Sequence, residues 1–232
     1  MKMSKTIESV KRFISSVPWK EGLNQFILEV FKRPLRLIFY PIKSVDEYKQ
    51  EKTYKLWVGW FYLGMMILTR VIAYNGEGFL VNKNNPRDFN LFLIVALVVF
   101  PVFISVIANW ATTALMDGKG TMKEIFMVIT YAFFPYVWLG LASTLISNFI
   151  TVDEIIFYTF FQSLGVFLTA FLIFFGLLGI HEYGLGKTIM MVVATIVAIA
   201  ATLFIILLFF SLIQQVWAFL ESIYDEFVMR FL

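Results

Sequence analysis

The run from Phe89 to Met116, FNLFLIVALVVFPVFISVIANWATTALM, decides the class of fold. It carries no acidic or basic side chain, and it is longer than the ~20 apolar residues a helix needs to cross a bilayer. Four further runs meet the same requirement: Leu56 to Tyr74, Ile125 to Ile150, Ile155 to Ile180, and Thr188 to about Leu220. The chain is therefore predicted to be an all-α, polytopic membrane bundle of about five transmembrane helices. Spans two to five exceed the minimum length, so they are expected to tilt, kink or protrude.

Composition supports the same class. Of 232 residues, 60% are hydrophobic and 15% charged, with a mean hydropathy of +0.81. A soluble domain has roughly 45–50% apolar and ~25% charged residues. The net charge of +3 does not read as a nucleic-acid surface, because the basic residues crowd into the first 55 positions, ahead of the apolar runs. With no cysteine, disulfides, thiolate zinc sites and cysteine nucleophiles are excluded. Met1 to Pro18 carries Lys2, Lys5, Lys11 and Arg12 and lacks the apolar core of a secretory signal, so the first span is expected to act as the insertion signal.

The loops predict the orientation. With the N-terminus inside, the segments Met1–Lys55, Asp117–Glu124 and His181–Lys187 are cytoplasmic and hold twelve, two and one Lys or Arg. The outside segments, Asn75–Asp88, Thr151–Glu154 and the C-terminal tail, hold two, none and one. The positive-inside rule selects this arrangement, which puts the C-terminus outside. The domain boundaries follow: a basic cytoplasmic segment over 1–55, a transmembrane domain over 56–220 and an amphipathic end over 221–232.

Before the first span, Leu23, Phe26, Ile27, Val30 and Phe31 fall at helical spacing, with Glu21, Glu29, Lys32 and Arg33 off that face. This predicts an interfacial amphipathic helix, ended or bent at Pro34, with Lys32, Arg33 and Arg36 as basic contacts to the membrane interface. That face is expected to rest on lipid or on the protein's own helix bundle; the alternative is a docking helix for a cytoplasmic partner. Near the chain end Val216, Phe219, Leu220, Ile223, Phe227 and Phe231 form a second stripe, opposite Glu221, Asp225, Glu226 and Arg230.

Chemistry-bearing residues are sparse. Arg70 is the one charge inside a span, near its outer end, where it is expected to reach the headgroups or pair with Asp153 or Glu154. Pro101 and Pro135 are expected to kink the second and third spans, against protein rather than lipid. Asn109, Asp117, His181 and Glu182 form a candidate polar cluster if the inner helix ends pack together. They have no metal-ligand spacing, and no nucleophile or paired-carboxylate arrangement accompanies them, so no catalytic, cofactor or metal site is expected. Gly184-Leu185-Gly186-Lys187-Thr188 resembles the end of a phosphate loop, but His181 stands where a glycine is needed. Those glycines are expected to cap the fourth helix. Gly176 and Gly179, and Ala194, Ala198, Ala201 and Thr202, suit close helix packing.

Several segments in order resemble the bacterial branch of the Yip domain family, named for members that bind Ypt/Rab GTPases. They are Ser44-Val45-Asp46-Glu47-Tyr48-Lys49 with Glu51-Lys52; Ala108-Asn109-Trp110 leading to Leu115-Met116-Asp117-Gly118-Lys119-Gly120; and Tyr131-Ala132-Phe133-Phe134-Pro135-Tyr136. Asn148, then Glu154 with Phe157-Tyr158, and Ser211-Leu212-Ile213-Gln214-Gln215 complete the set. The resemblance covers roughly Pro41 to the C-terminus. It implies five spans with a cytoplasmic N-terminus, in agreement with the loop charges. The Asp-Leu-Tyr-Gly-Pro-type segment of eukaryotic relatives is missing, so GTPase binding is not carried over. Some bacterial relatives are encoded beside carbohydrate ABC transporters, which implies a permease as partner.

The expectation is a non-enzymatic scaffold or accessory protein of the bacterial inner membrane. It would bind membrane-protein partners, or itself, or organise the lipid bilayer, with no nucleic acid and no cofactor. The alternative is a small transporter or channel for a neutral solute, motivated by the kinked spans, Asn109 and Gln162.

Overall fold

The computed structural model describes residues 19–41, 43–45, 47 and 55–231. The basic residues of the first eighteen positions, and Lys49 and Lys52, lie outside them. Among the described residues every regular element is helical. Helix α1 (Trp19–Ile27) passes through a π-helical turn, Leu28–Lys32, into α2 (Arg33–Phe39). Then come α3 (Leu56–Gly76), α4 (Leu91–Ala114), α5 (Met122–Tyr131), α6 (Phe133–Ile146), α7 (Ile155–His181) and α8 (Leu185–Phe231). Five segments are long and apolar enough to cross a membrane: α3, α4, α5 with α6, α7 and α8.

The third of these is the centre of the bundle and the most buried. Its Ile125, Phe126, Ile129 and Val137 share a core with Val58 and Tyr62 of α3, Val102 of α4 and Ile180 of α7. Small residues let the backbones close on it. A Cβ on Gly59 would sit 2.7 Å from the Thr130 hydroxyl oxygen, and one on Gly176 would sit 2.5 Å from a Val128 methyl. In lipid, where apolar surface gives no preference for helix over solvent, such close approach is what holds helices together.

The two internal prolines act differently. Pro135 cannot donate to the carbonyl of Tyr131, and the third span is broken at Ala132 into α5 and α6. Pro135 is buried against protein. Pro101 lies within an unbroken α4 and is exposed. It borders a cavity rather than packed helix.

The N-terminal helix packs on its own bundle along part of the apolar face and the residues beside it. Glu29, Val30, Pro34 and Leu37 are buried, while Leu23, Phe26 and Ile27 stay exposed. Two polar partners account for this. Glu29 pairs with Arg33 one turn on and lies 3.3 Å from the Lys55 ammonium, so its charge is matched where it is buried. The hydroxyl of Tyr62 donates to the Val30 carbonyl. Lys32 is exposed, and Arg36 pairs with Glu47 at 2.7 Å.

Helix α8 departs most from a simple span. It runs 47 residues without a break. Its first part lies antiparallel to α4, where the Asn109 side chain donates to the Thr195 hydroxyl at 3.1 Å. Beyond Leu203 nearly every side chain is exposed.

Candidate functional sites at the two ends of the bundle

One end is closed by the α4–α5 and α7–α8 connections. The turn 115–121 folds over His181, which is 1% exposed. The backbone N–H of Gly120 donates to His181 Nδ1 at 3.2 Å, so that nitrogen is unprotonated and Nε2 carries the hydrogen. Nε2 in turn lies 3.2 Å from the Asn109 side-chain oxygen, which accepts. The Asn109 amide then donates to Thr195 and to the Met191 sulfur at 2.9 Å. A neutral imidazole and an amide thus join α4, α7 and α8 with their polar atoms matched in a buried setting.

Glycine is required here for room. A Cβ on Gly118 would lie 2.7 Å from His181 Nδ1, and one on Gly120 would lie 2.7 Å from His181 Cε1. The expected glycine cap of the fourth span is not what forms. Glu182 takes the left-handed conformation with φ 56°, and its N–H donates to the Gly179 carbonyl at 3.2 Å. No glycine has positive φ among the described residues. Asp117 adopts the same conformation, also at φ 56°.

Of the four residues of the candidate cluster, Asn109 and His181 are in direct contact, while Asp117 and Glu182 are exposed. Glu182 pairs with Lys119 across the two connections. Tyr183 donates to the Met116 carbonyl at 2.9 Å and carries Lys187 over its ring at 4.5 Å. Burial, and then the negative charge of Asp117, push the Tyr183 phenol above its ordinary pKa. Among the described residues no three His, Asp or Glu side chains come together in a way that would hold a metal ion.

The other end is tied by backbone contacts. Gly78 N–H donates to the Ser147 hydroxyl at 2.8 Å, and the Asn148 amide donates to the Gly76 carbonyl at 2.8 Å. Beneath this tie lies a cavity of about 650 Å³ between α3, α4, α6 and α7. Arg70 projects into it with its guanidinium 5.3 Å from the ring centre of Tyr136. Asp153 and Glu154, the carboxylates expected to pair with it, do not. Glu154 instead accepts from the backbone and hydroxyl of Thr151 at the start of α7. Glu77, also in the cavity wall, accepts from the Tyr158 hydroxyl at 2.7 Å. Gln162 donates to the Ser143 hydroxyl at 2.8 Å. Sequence reading found Arg70 and Gln162 but not Glu77 or Tyr136. Their meeting depends on how four helices are set against one another.

A bundle of five long apolar helices, with its matched polar contacts concentrated at the helix ends, defines a multi-pass integral membrane protein. The family model of the Yip1 domain matches residues 35–223, which is most of the chain. The chain belongs to the Yip1 domain family, a family of non-enzymatic membrane proteins. No curated protein and no solved structure matches it.

Proposed function

We propose that this protein is a scaffold or accessory protein of the cell membrane that holds other membrane proteins through α8. Its basic N-terminal side would face the cytoplasm and the end of α8 the opposite side. The observation that carries this reading is the length of α8. Its 47 residues span about 70 Å at 1.5 Å per residue, against a hydrocarbon core of about 30 Å. No glycine or proline follows Gly186, so nothing in the sequence bends the helix onto the membrane surface. The part beyond the bilayer keeps an apolar stripe, Val216, Phe219, Leu220, Ile223 and Phe227, each about half exposed or more. Glu221, Asp225 and Glu226 accompany it, a charge that suits anionic lipid poorly. A protein surface covers such a stripe better than water or headgroups do. The candidates are a second copy or a membrane-protein partner such as a carbohydrate transporter permease.

The test is affinity purification of the full chain from native membranes, alongside a Leu220→Glu, Ile223→Glu variant. A stoichiometric partner or dimer that the variant loses supports the reading. A wild-type protein that is always alone and monomeric overturns it.

The cavity beside Arg70 favours a second reading, a carrier or channel for a neutral solute. Solute flux into liposomes containing the purified protein would support it.

A further inference from the structure

Met66 and Arg70 of α3, and Glu77 just past its end, line the cavity in order toward the α3–α4 connection. Arg70 lies about one turn beyond Met66, and Glu77 follows the last turn of the helix. An apolar region of Met66, Pro101 and Phe133 is thus followed by a cation and then by a carboxylate nearer the helix end. A phospholipid with a zwitterionic headgroup carries the complementary groups in the same order: acyl chain, phosphate, ammonium. We propose that this cavity is a binding site for one such phospholipid, its phosphate on Arg70 and its headgroup ammonium on Glu77.

Three features favour this ligand. First, among the described residues Arg70 forms no ion pair and donates no hydrogen bond to protein; its guanidinium lies over the Tyr136 ring. A charge within a span is costly unless matched, and a guanidinium matches a phosphate with two parallel N–H donors. Second, Glu77 distinguishes the ligand class. It would repel the headgroup of a purely anionic lipid but accept from an ammonium. Third, the volume of about 650 Å³ admits a headgroup with the start of its chains. The cavity is not sealed, since Arg70 and Leu97 are both exposed, so chains can pass out along α4. A free phosphate would leave the apolar wall uncovered.

This inference concerns a different part of the molecule from the α8 stripe and does not depend on the scaffold reading. Native mass spectrometry of the full chain in detergent tests it, with phosphatidylethanolamine and phosphatidylglycerol of matched chains as probes. The wild type is expected to retain one phosphatidylethanolamine, about tenfold in preference to phosphatidylglycerol. Arg70→Gln removes an unmatched charge, so it should stay folded, with an unchanged or higher melting temperature without lipid, yet lose retention of phosphatidylethanolamine about tenfold. Glu77→Gln should abolish the preference between the two lipids. Ala73→Phe, which fills the cavity and leaves both charges in place, should lose lipid as well. Equal or better retention of phosphatidylglycerol by the wild type overturns the proposal. Displacement of the lipid by inorganic phosphate overturns it too, as does unchanged retention in Arg70→Gln.

Discussion

The hydroxyl of Tyr62 donates to the carbonyl of Val30, in the π-helical turn that leads into Pro34. Both residues are fully buried. Where the helix is irregular, a side chain from another helix supplies a donor, and that bond fixes the N-terminal helix on α3.

Tyr62→Phe should therefore cost about 1–3 kcal/mol, the cost of leaving a buried carbonyl without a donor. Pro34→Ala allows a regular α-helix through this turn, in which the N–H of position 34 serves the Val30 carbonyl. In that background the cost of Tyr62→Phe should fall markedly. Thermal unfolding of the four variants of this cycle, followed by tryptophan fluorescence in detergent, measures the coupling. Strictly additive losses would separate the two residues.

The glycines of the two connections should respond oppositely to substitution. Gly118→Ala and Gly120→Ala each place a methyl 2.7 Å from His181 atoms, and the buried ring has little room to retreat. Each should destabilise by about 1–3 kcal/mol, as overpacking does. Gly184→Ala and Gly186→Ala meet nothing within 4 Å, and no glycine here has positive φ. They should be neutral or slightly stabilising. Melting temperatures of the four variants decide the contrast.

This contrast shows what was legible in the sequence and what was not. The spans were legible because apolar length is a property of one stretch of chain. The role of Gly118 and Gly120 was not, because a glycine in a connection reads as a turn whether it supplies a conformation or room for His181. Which part of the N-terminal helix packs on protein was not legible, for a related reason. Leu23, Phe26 and Ile27 have the right periodicity, but beside a bilayer an apolar face says only that water is absent. Glu29 and Val30 turn toward protein because Lys55 and Tyr62 offer partners that lipid cannot. In the cavity, Arg70 announced itself as a charge in a span. Glu77 and Tyr158 lie 81 positions apart and meet only once α3 and α7 are set side by side.

The end that holds Tyr183 should be sensitive to alkali. Burial, and then the charge of Asp117, raise its pKa above the ordinary value of about 10. The folded state therefore keeps its phenolic proton longer than the unfolded chain. The stabilisation is complete below the unfolded value and is lost as pH rises through the folded one. Ionisation also removes the bond donated to Met116. Melting temperature should fall as pH rises above about 10. Tyr183→Phe should start lower and fall less steeply; an identical slope would remove Tyr183 as the cause.

The Glu29 ion pairs should show an asymmetry between their two signs. The Glu29 side chain is 6% exposed, whereas those of Arg33 and Lys55 are 26% and 49% exposed. Removing the carboxylate with Glu29→Met leaves two cations that can reach water or headgroups, and it puts an apolar side chain in an apolar place. That change should cost little. Removing both cations with Arg33→Met and Lys55→Met leaves the carboxylate buried and unmatched, which should cost about 3–5 kcal/mol. Either cation alone can partly compensate, so each single change should cost much less than the pair. Restoring the triple variant to near wild-type stability with Glu29→Met would establish that the buried charge, and not lost packing, is responsible. A triple variant as unstable as the double would assign the loss to the side-chain stems of Arg33 and Lys55 instead.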